Sequence, residues 1–250
     1  MLTDEQMSEK YELFKIANIF YKVADMNFVN ISTHIKVVMD LFEGFKFNED
    51  LTDHQIRVLE NACLLHDIGL ACCKLPKIVE SDFEGLEPLE REKLKNQSVN
   101  ARMEHMRIGE LIAVQILETS KLTYLENLYC CGLIVNHDIT KVVAITKKDG
   151  EYYKDLERCF TNSLWQLLNE IDALWMLTDE GIKTDIERSK QHGKKPMSFE
   201  EQLKYNTELH YKRYDLYKEL GLDVSNFINK SMYRSEFGYE MFEQLKSKEV

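Results

Sequence analysis

Apolar residues recur every three or four positions along most of this 250-residue chain, and this spacing most constrains its fold. Three of the periodic segments begin with a capping box, in which Ser or Thr precedes Glu or Gln by three residues. The boxes start at Thr3, Thr52 and Ser198. Only 3 prolines and 10 glycines interrupt the chain, so long helices have room to form. The sequence therefore predicts an all-α protein.

The period places the helices as follows. We expect them over residues 3–24, 28–43, 53–67, 101–119, 122–137, 160–178, 199–220 and 223–248.

Two stretches depart from this pattern. Residues 74–100 are heavily charged and contain Pro76, Gly85 and Pro88, which predicts a long connection with a short helix at most. A lid over a functional site and a solvated surface loop remain equal alternatives there. Residues 140–155 combine a β-prone run with an Asp-Gly turn signal, which predicts a small β-hairpin.

Charge and cysteine content exclude several classes of protein. The formal net charge of −11 disfavours binding to polymeric nucleic acid or to an anionic membrane. The sequence contains no run of 18 or more apolar residues, so we expect no membrane span. The polar, acidic N-terminus does not resemble a signal peptide. The 6 cysteines include two vicinal pairs without C-x-x-C spacing, which favours reduced thiols and a cytoplasmic location.

Six titratable residues fall on the apolar faces or at the ends of predicted helices. Each has an ordinary explanation when taken alone, such as a hydrogen-bonded core histidine or a buried ion pair. Asp172 is the least ambiguous, because a buried carboxylate without a partner costs several kcal/mol. The set comprises His34, His66, Asp67, His105, His137 and Asp172.

Imidazole and carboxylate groups from five predicted helices suit iron, manganese and other first-row divalent metals. Cysteine is absent from the set although the chain has 6, which argues against a structural zinc site. His66 and Asp67 stand side by side at the end of the segment 53–67, and Gly69 is placed to end that helix as a C-terminal cap.

The ordered set resembles the HD-domain metal-dependent phosphohydrolases, a superfamily named for its His-Asp doublet. The resemblance covers about residues 28–178 and implies an all-α, HD-domain-like helical bundle. It also implies that His34, His66, Asp67 and Asp172 hold one metal ion. His105 and His137 match the additional ligands of members that bind a second ion, with Asp67 bridging the two. Its motifs are Thr33-His34, His66-Asp67-Ile68-Gly69, His105, His137-Asp138 and Asp172-Ala173-Leu174.

One branch of this superfamily, the HD-GYP proteins, hydrolyses cyclic di-GMP and differs from this chain. That branch usually has a lysine after the motif glycine and a second consecutive histidine later. Here Leu70 and Asp138 stand at those places, and a Gly-Tyr-Pro element is absent. We therefore do not expect cyclic di-GMP as the substrate.

The function implied by the resemblance is that of a phosphodiesterase or phosphatase acting on a nucleotide or a related phosphate ester. It would use two divalent ions, Fe or Mn, with Asp67 as the catalytic bridging ligand and a metal-bound hydroxide attacking phosphorus. The nearest basic residues in sequence are candidates to bind the remaining phosphate charge: Lys74, Lys77, Arg102 and Arg107.

Two other functions are compatible with the same six residues. A di-iron oxygenase could use the same six ligands, and a regulatory HD module would have no turnover. We expect residues 1–178 to form the metal-binding domain and 179–250 a helical extension packed on the same core. A homodimer through these extra helices is left open.

Overall fold

The computed structural model describes residues 4–26, 30–73, 85–148, 150–191 and 195–248, with side chains described from residue 12 onward. Within these ranges the chain has helices and no strand, so the all-α prediction is confirmed. The α-helices are α1 (Asp4–Asp25), α2 (Ile31–Asn48), α3 (Asp53–Leu65), α4 (Pro88–Leu117), α5 (Tyr124–Ile134), α6 (Ile139–Thr146), α7 (Tyr153–Phe160), α8 (Ser163–Leu174), α9 (Asp179–Gln191), α10 (Phe199–Glu219) and α11 (Glu236–Lys246). Short 3-10 turns occupy Ile68–Ala71, Trp175–Leu177 and Ile228–Lys230.

Local capping explains where several helices begin. The predicted capping boxes at Thr52 and Ser198 are both formed, and each satisfies backbone N–H groups of the first helical turn. A third box at Thr123 opens α5. The box predicted at Thr3 lies outside the described residues.

The prediction of a β-hairpin near 140–155 is wrong, because α6 and α7 occupy this stretch. Val142 and Val143 are fully buried on α6 together with Ile139, at helical spacing. Their burial against the core outweighs the strand preference of β-branched residues, which depends strongly on context. A turn follows in which the Gly150 N–H donates to the carbonyl of Lys147, so it joins two helices rather than two strands.

The expected long connection over 74–100 is also shorter than predicted. Helix α4 begins at Pro88, thirteen residues before the predicted start, with the proline in its first turn, where a missing N–H costs nothing. The charged residues that follow are mostly exposed and are good helix formers. Residues 74–84 of the predicted connection lie outside the described residues, so the choice between a lid and a surface loop there stays open.

Helix α3 lies at the centre of the bundle. It packs against α1, α2, α5 and α8, and the turn Ile68–Ala71 that follows it packs between α1 and α4. The C-terminal helices join the same core, because α11 contacts α2 and α8 while α9 and α10 contact the turn Trp175–Leu177. The packing thus brings the end of α3 close to the inner faces of α2, α4 and α8.

One helical stretch, Tyr124–Thr146, is long and apolar enough by length and composition to cross a membrane, with a mean hydropathy of 1.3. In the structure this stretch is divided into α5 and α6 by a turn at residues 135–138. Of its most apolar window, 56% is buried inside the protein. Its apolar residues therefore contribute to the helical core.

Candidate metal centre

The His66-Asp67 doublet lies at the point where α3 gives way to a tighter turn. Helix α3 ends at Leu65, His66 is its C-cap, and Asp67 takes φ −99° and ψ 10°. This break changes the direction of the chain between the two residues, so both side chains reach the same region. The Tyr21 hydroxyl donates a 2.5 Å hydrogen bond to the Leu64 carbonyl and ties α1 to this segment.

Gly69 serves a different purpose from the predicted helix cap. Among the described glycines only Gly85 and Gly221 have positive φ, so Gly69 does not need left-handed freedom. Instead, a Cβ atom at this position would lie 2.0 Å from the His105 carbonyl oxygen and 2.7 Å from the Gly109 nitrogen. Glycine is therefore required for the close approach of the turn to the backbone of α4.

The six predicted ligands come together as two groups of three that could each hold a metal ion. The first group is His34, His66 and Asp172. The two imidazole Nε2 atoms lie 3.1 Å apart. Oδ1 of Asp172 lies 3.3 Å from Nε2 of His34 and 3.5 Å from Nε2 of His66.

The second group is Asp67, His105 and His137. The Nε2 atoms of the two histidines lie 3.1 Å apart. Oδ1 of Asp67 is 3.6 Å from His105 Nε2 and 3.3 Å from His137 Nε2. The arrangement repeats that of the first group, with two imidazoles and one carboxylate oxygen facing each other.

Asp67 joins the two groups through its two oxygens. While Oδ1 faces the second group, Oδ2 lies 3.4 Å from Nε2 of His34 and 3.7 Å from Nε2 of His66. One carboxylate therefore presents a different oxygen to each group, which is the arrangement a bridging ligand requires.

These separations fit metal coordination. Neighbouring ligand atoms placed about 2.0–2.2 Å from one ion lie about 2.8–3.1 Å from each other in octahedral geometry and about 3.3–3.6 Å in tetrahedral geometry. Nδ1 of His66 donates to the Cys63 carbonyl at 3.0 Å, and Nδ1 of His137 donates to the Ile134 carbonyl at 2.7 Å. Such outer hydrogen bonds orient an imidazole and leave Nε2 to face an ion.

The charges of the centre also favour a cation. Burial alone would raise the pKa of Asp67, but the charge of His66 and hydrogen bonds from His105 and His137 lower it well below its usual value. Burial would likewise raise the pKa of Asp172, yet the hydrogen bond from His66 and the charge of Lys141 lower it. Both carboxylates are therefore ionised inside the protein.

The histidines of the first group titrate very differently. Burial lowers the pKa of His34 to about 4 and keeps this imidazole neutral. Burial would also lower the pKa of His66, but the charge of Asp67 and the hydrogen bond with Asp172 raise it to about 9. A proton on His66 thus compensates only part of the negative charge of the two aspartates.

The predicted substrate-binding residues are not all at the centre. Arg102 donates to Oδ2 of Asp138 at 2.6 Å, directly beside His137. Arg107 is exposed on α4, whereas His105, two residues earlier on the same helix, is buried, so the two side chains point to different sides of the helix. Lys74 and Lys77 lie outside the described residues.

The sequence-based predictions did not include Lys141, a basic residue that pairs with Asp138, the residue after His137. Nζ of Lys141 lies 2.6 Å from Oδ1 of Asp138. The spacing of Asp138 and Lys141, three residues apart at the start of a helix, was the signal that could have revealed the pair.

Comparison with known proteins finds no matching family model, no matching curated protein and no matching solved structure. Membership of the HD superfamily therefore stays a sequence-based prediction.

Proposed function

We propose that this protein is a metal-dependent phosphohydrolase that uses two divalent ions, Fe or Mn, held by His34, His66, Asp67, His105, His137 and Asp172. The observation that carries this proposal is the position of Asp67, whose two oxygens face two separate histidine pairs at 3.3–3.7 Å. A carboxylate shared between two ligand groups is the arrangement of a binuclear hydrolytic site.

The donor set supports iron or manganese. It contains only imidazole nitrogen and carboxylate oxygen, which suit first-row divalent metals, and it contains no thiolate. Two ions bound there would supply Lewis acidity that activates a water molecule and neutralises charge on phosphoryl oxygens.

The solvent exposure of the six side chains indicates from which side a substrate would approach. The four histidine side chains are at most 5% exposed, so they close the inner side of the centre to water. The side chains of Asp67 and Asp172 are 17% and 20% exposed and form its open edge. A phosphate ester of a nucleotide or a related small molecule would approach the centre across this edge.

The test is metal-dependent turnover by the full chain and by an Asp67→Ala variant. Metal-free protein is reloaded anaerobically with Mn²⁺ or Fe²⁺, and metal content is measured alongside phosphate release from p-nitrophenyl phosphate and a panel of nucleotides. We expect Asp67→Ala to reduce turnover by more than about 100-fold, because even the outer partners of metal ligands contribute about 10–100-fold. Its metal content should fall with its activity.

The matched control is Asp40→Ala, which removes an exposed carboxylate from the same helix that carries His34. This variant should keep wild-type metal content and turnover. Full activity in Asp67→Ala would refute the proposal. A product that forms only with iron and consumes O₂ would instead favour a di-iron oxygenase, and metal binding without any turnover would favour a regulatory module.

A further inference from the structure

A stripe of four exposed residues runs along the second half of α4 to its C-cap, on the side of the helix opposite the buried His105. This α4 stripe comprises Arg107, Leu111, Val114 and Glu118. Spacings of four, three and four residues place all of them within an arc of about 60° around the helix axis. Leu111 and Val114 are 67% and 37% exposed, so two apolar side chains face solvent between two charged ones. The same alternation of spacings marks the contact seam between paired helices.

The neighbouring helix α5 extends this apolar surface. The two helices run antiparallel, because the side chain of Asn127 donates to the Leu117 carbonyl at 3.3 Å, whereas Gly109 lies against Ile134 farther along α5. Leu128 therefore lies alongside the α4 stripe. The exposed large apolar side chains of α5 are those of Tyr124, Leu125 and Leu128. Exposed apolar residues grouped in this way, with charged residues at the margin, indicate an interaction surface.

The order of residues in the α4 stripe is complementary to itself. Along the helix, a cation, two apolar residues and an anion follow one another. A second copy can be placed antiparallel about a two-fold axis that passes between Leu111 and Val114. Leu111 of each copy then meets Val114 of the other, and Arg107 of each copy lies opposite Glu118 of the other. One arrangement therefore matches the apolar and the charged residues together.

Other occupants fit this surface less well. In a parallel pair of copies, Arg107 would face Arg107 and Glu118 would face Glu118, so like charges would repel at both ends of the α4 stripe. An anionic membrane is disfavoured by the formal net charge of −11. Charge complementarity thus favours a second, antiparallel copy of this chain.

We propose that α4 and α5 form a self-association surface, through which two copies of this chain pair antiparallel about a two-fold axis. The proposal does not depend on the proposed metal chemistry, and it differs from a dimer through the C-terminal helices. The α4 stripe is only about 16 Å long, and a standard interface buries about 800 Å² per partner. We therefore expect a weak dimer, with a dissociation constant of about 1–100 μM.

Sedimentation velocity of the full chain, over concentrations from about 1 to 300 μM, measures this association. We expect the wild-type chain to shift from monomer to dimer within that range. Leu111→Lys should weaken the dimer by more than about 100-fold, because a two-fold interface loses both leucines at once. The matched control is Leu89→Lys, which changes an equally exposed kind of residue in the first turn of α4, far from the stripe. It should dimerise as the wild-type chain does.

The charged residues test the antiparallel arrangement itself. Arg107→Glu gives the α4 stripe negative charge at both ends, and Glu118→Arg gives it positive charge at both ends. Each variant alone should dimerise about 10-fold more weakly, because two attractive contacts become repulsive. An equimolar mixture of the two variants should form a heterodimer about as stable as the wild-type dimer, since opposite charges then meet at both ends. Circular dichroism checks that each variant is folded.

Each alternative outcome has a defined meaning. A wild-type chain that stays monomeric at every concentration overturns the proposal and would assign this surface to a partner of different sequence. A dimer that Leu111→Lys leaves intact also overturns it, because association would then use another face. Weak dimers in both charge variants without recovery in their mixture overturn the antiparallel pairing. None of these measurements uses metal content or turnover, so failure here leaves the proposed function untouched.

Discussion

Replacing Gly69 by alanine tests whether the approach of the motif turn to α4 holds the metal centre together. The added Cβ would lie 2.0 Å from the His105 carbonyl oxygen, 2.7 Å from the Gly109 nitrogen and 3.0 Å from the His105 carbonyl carbon. All three are backbone atoms of a helix, so no side-chain rotation can relieve the clash. The turn Ile68–Ala71 must move away from α4.

The cost can be estimated from known overpacking effects. An extra methyl group in a packed core typically costs about 1–3 kcal/mol, and a clash with rigid backbone belongs at the upper end of that range. Restricting the unfolded chain by Gly→Ala returns about 0.4–1 kcal/mol. We therefore expect Gly69→Ala to lower the free energy of unfolding by about 2 kcal/mol or more.

The same movement should separate the ligands. Asp67 immediately precedes the turn, and its Oδ1 lies 3.6 Å from Nε2 of His105. A shift of the turn therefore acts directly on the second ligand group. The metal content of Gly69→Ala should fall, with the second site affected more than the first.

Gly132→Ala is the matched control. Gly132 lies within α5, and a Cβ there meets no atom within 4 Å. Since alanine favours a helix over glycine, this variant should gain about 0.5–1 kcal/mol. Urea unfolding followed by circular dichroism compares both variants with the wild-type chain, and metal analysis follows. If Gly69→Ala is as stable as Gly132→Ala and binds wild-type metal, the close-approach argument is refuted.

Two further predictions concern the ligand groups and the C-terminal core. Asp172→Asn should remove the carboxylate of the first group only. The metal content should therefore fall by about one ion per chain while the second group stays occupied. Complete loss of metal would contradict the idea that the two groups bind separately. Burial lowers the pKa of His210 to about 3, so the unfolded chain binds this proton near pH 6.5 and the folded chain does not. The free energy of unfolding should therefore decrease by up to about 1.4 kcal/mol per pH unit as the pH falls from about 6.5 to about 3. In His210→Phe this decrease should be smaller, and urea unfolding measured across that pH range checks it.

The helices were predictable where their signals are local. Capping boxes at Thr52 and Ser198 located the starts of α3 and α10, and an apolar stripe supported α3, because a box and a stripe are properties of neighbouring residues. The strand prediction failed at Val142 and Val143, since β-branched residues also suit a fully buried helix face. Whether such a run is buried on one side or on both depends on partners far away in the sequence.

The six candidate ligands were identifiable from their places on the predicted helices, whereas their division into two groups that share Asp67 was expected only from the resemblance to the HD superfamily. His34 and His105 were identifiable from their places on apolar helix faces. Their distribution into separate groups depends on how α2 and α4 cross the end of α3. The role of Gly69 likewise depends on the backbone of α4. The hydrogen bond from Arg102 to Asp138 joins residues that are 36 positions apart in the sequence. These are tertiary contacts, and no local pattern encodes them.

The electrostatics of the candidate centre would link folding to metal binding. The chain encloses the carboxylates of Asp67 and Asp172 within one cluster, and such an arrangement is costly unless positive charge accompanies it. Without an ion, the proton held by His66, whose pKa rises to about 9, supplies part of that charge. An ion in the first group would take the place of this proton, so binding releases it and strengthens as the pH rises. The negative charge that makes the metal-free cluster costly is therefore the same charge that would attract metal ions.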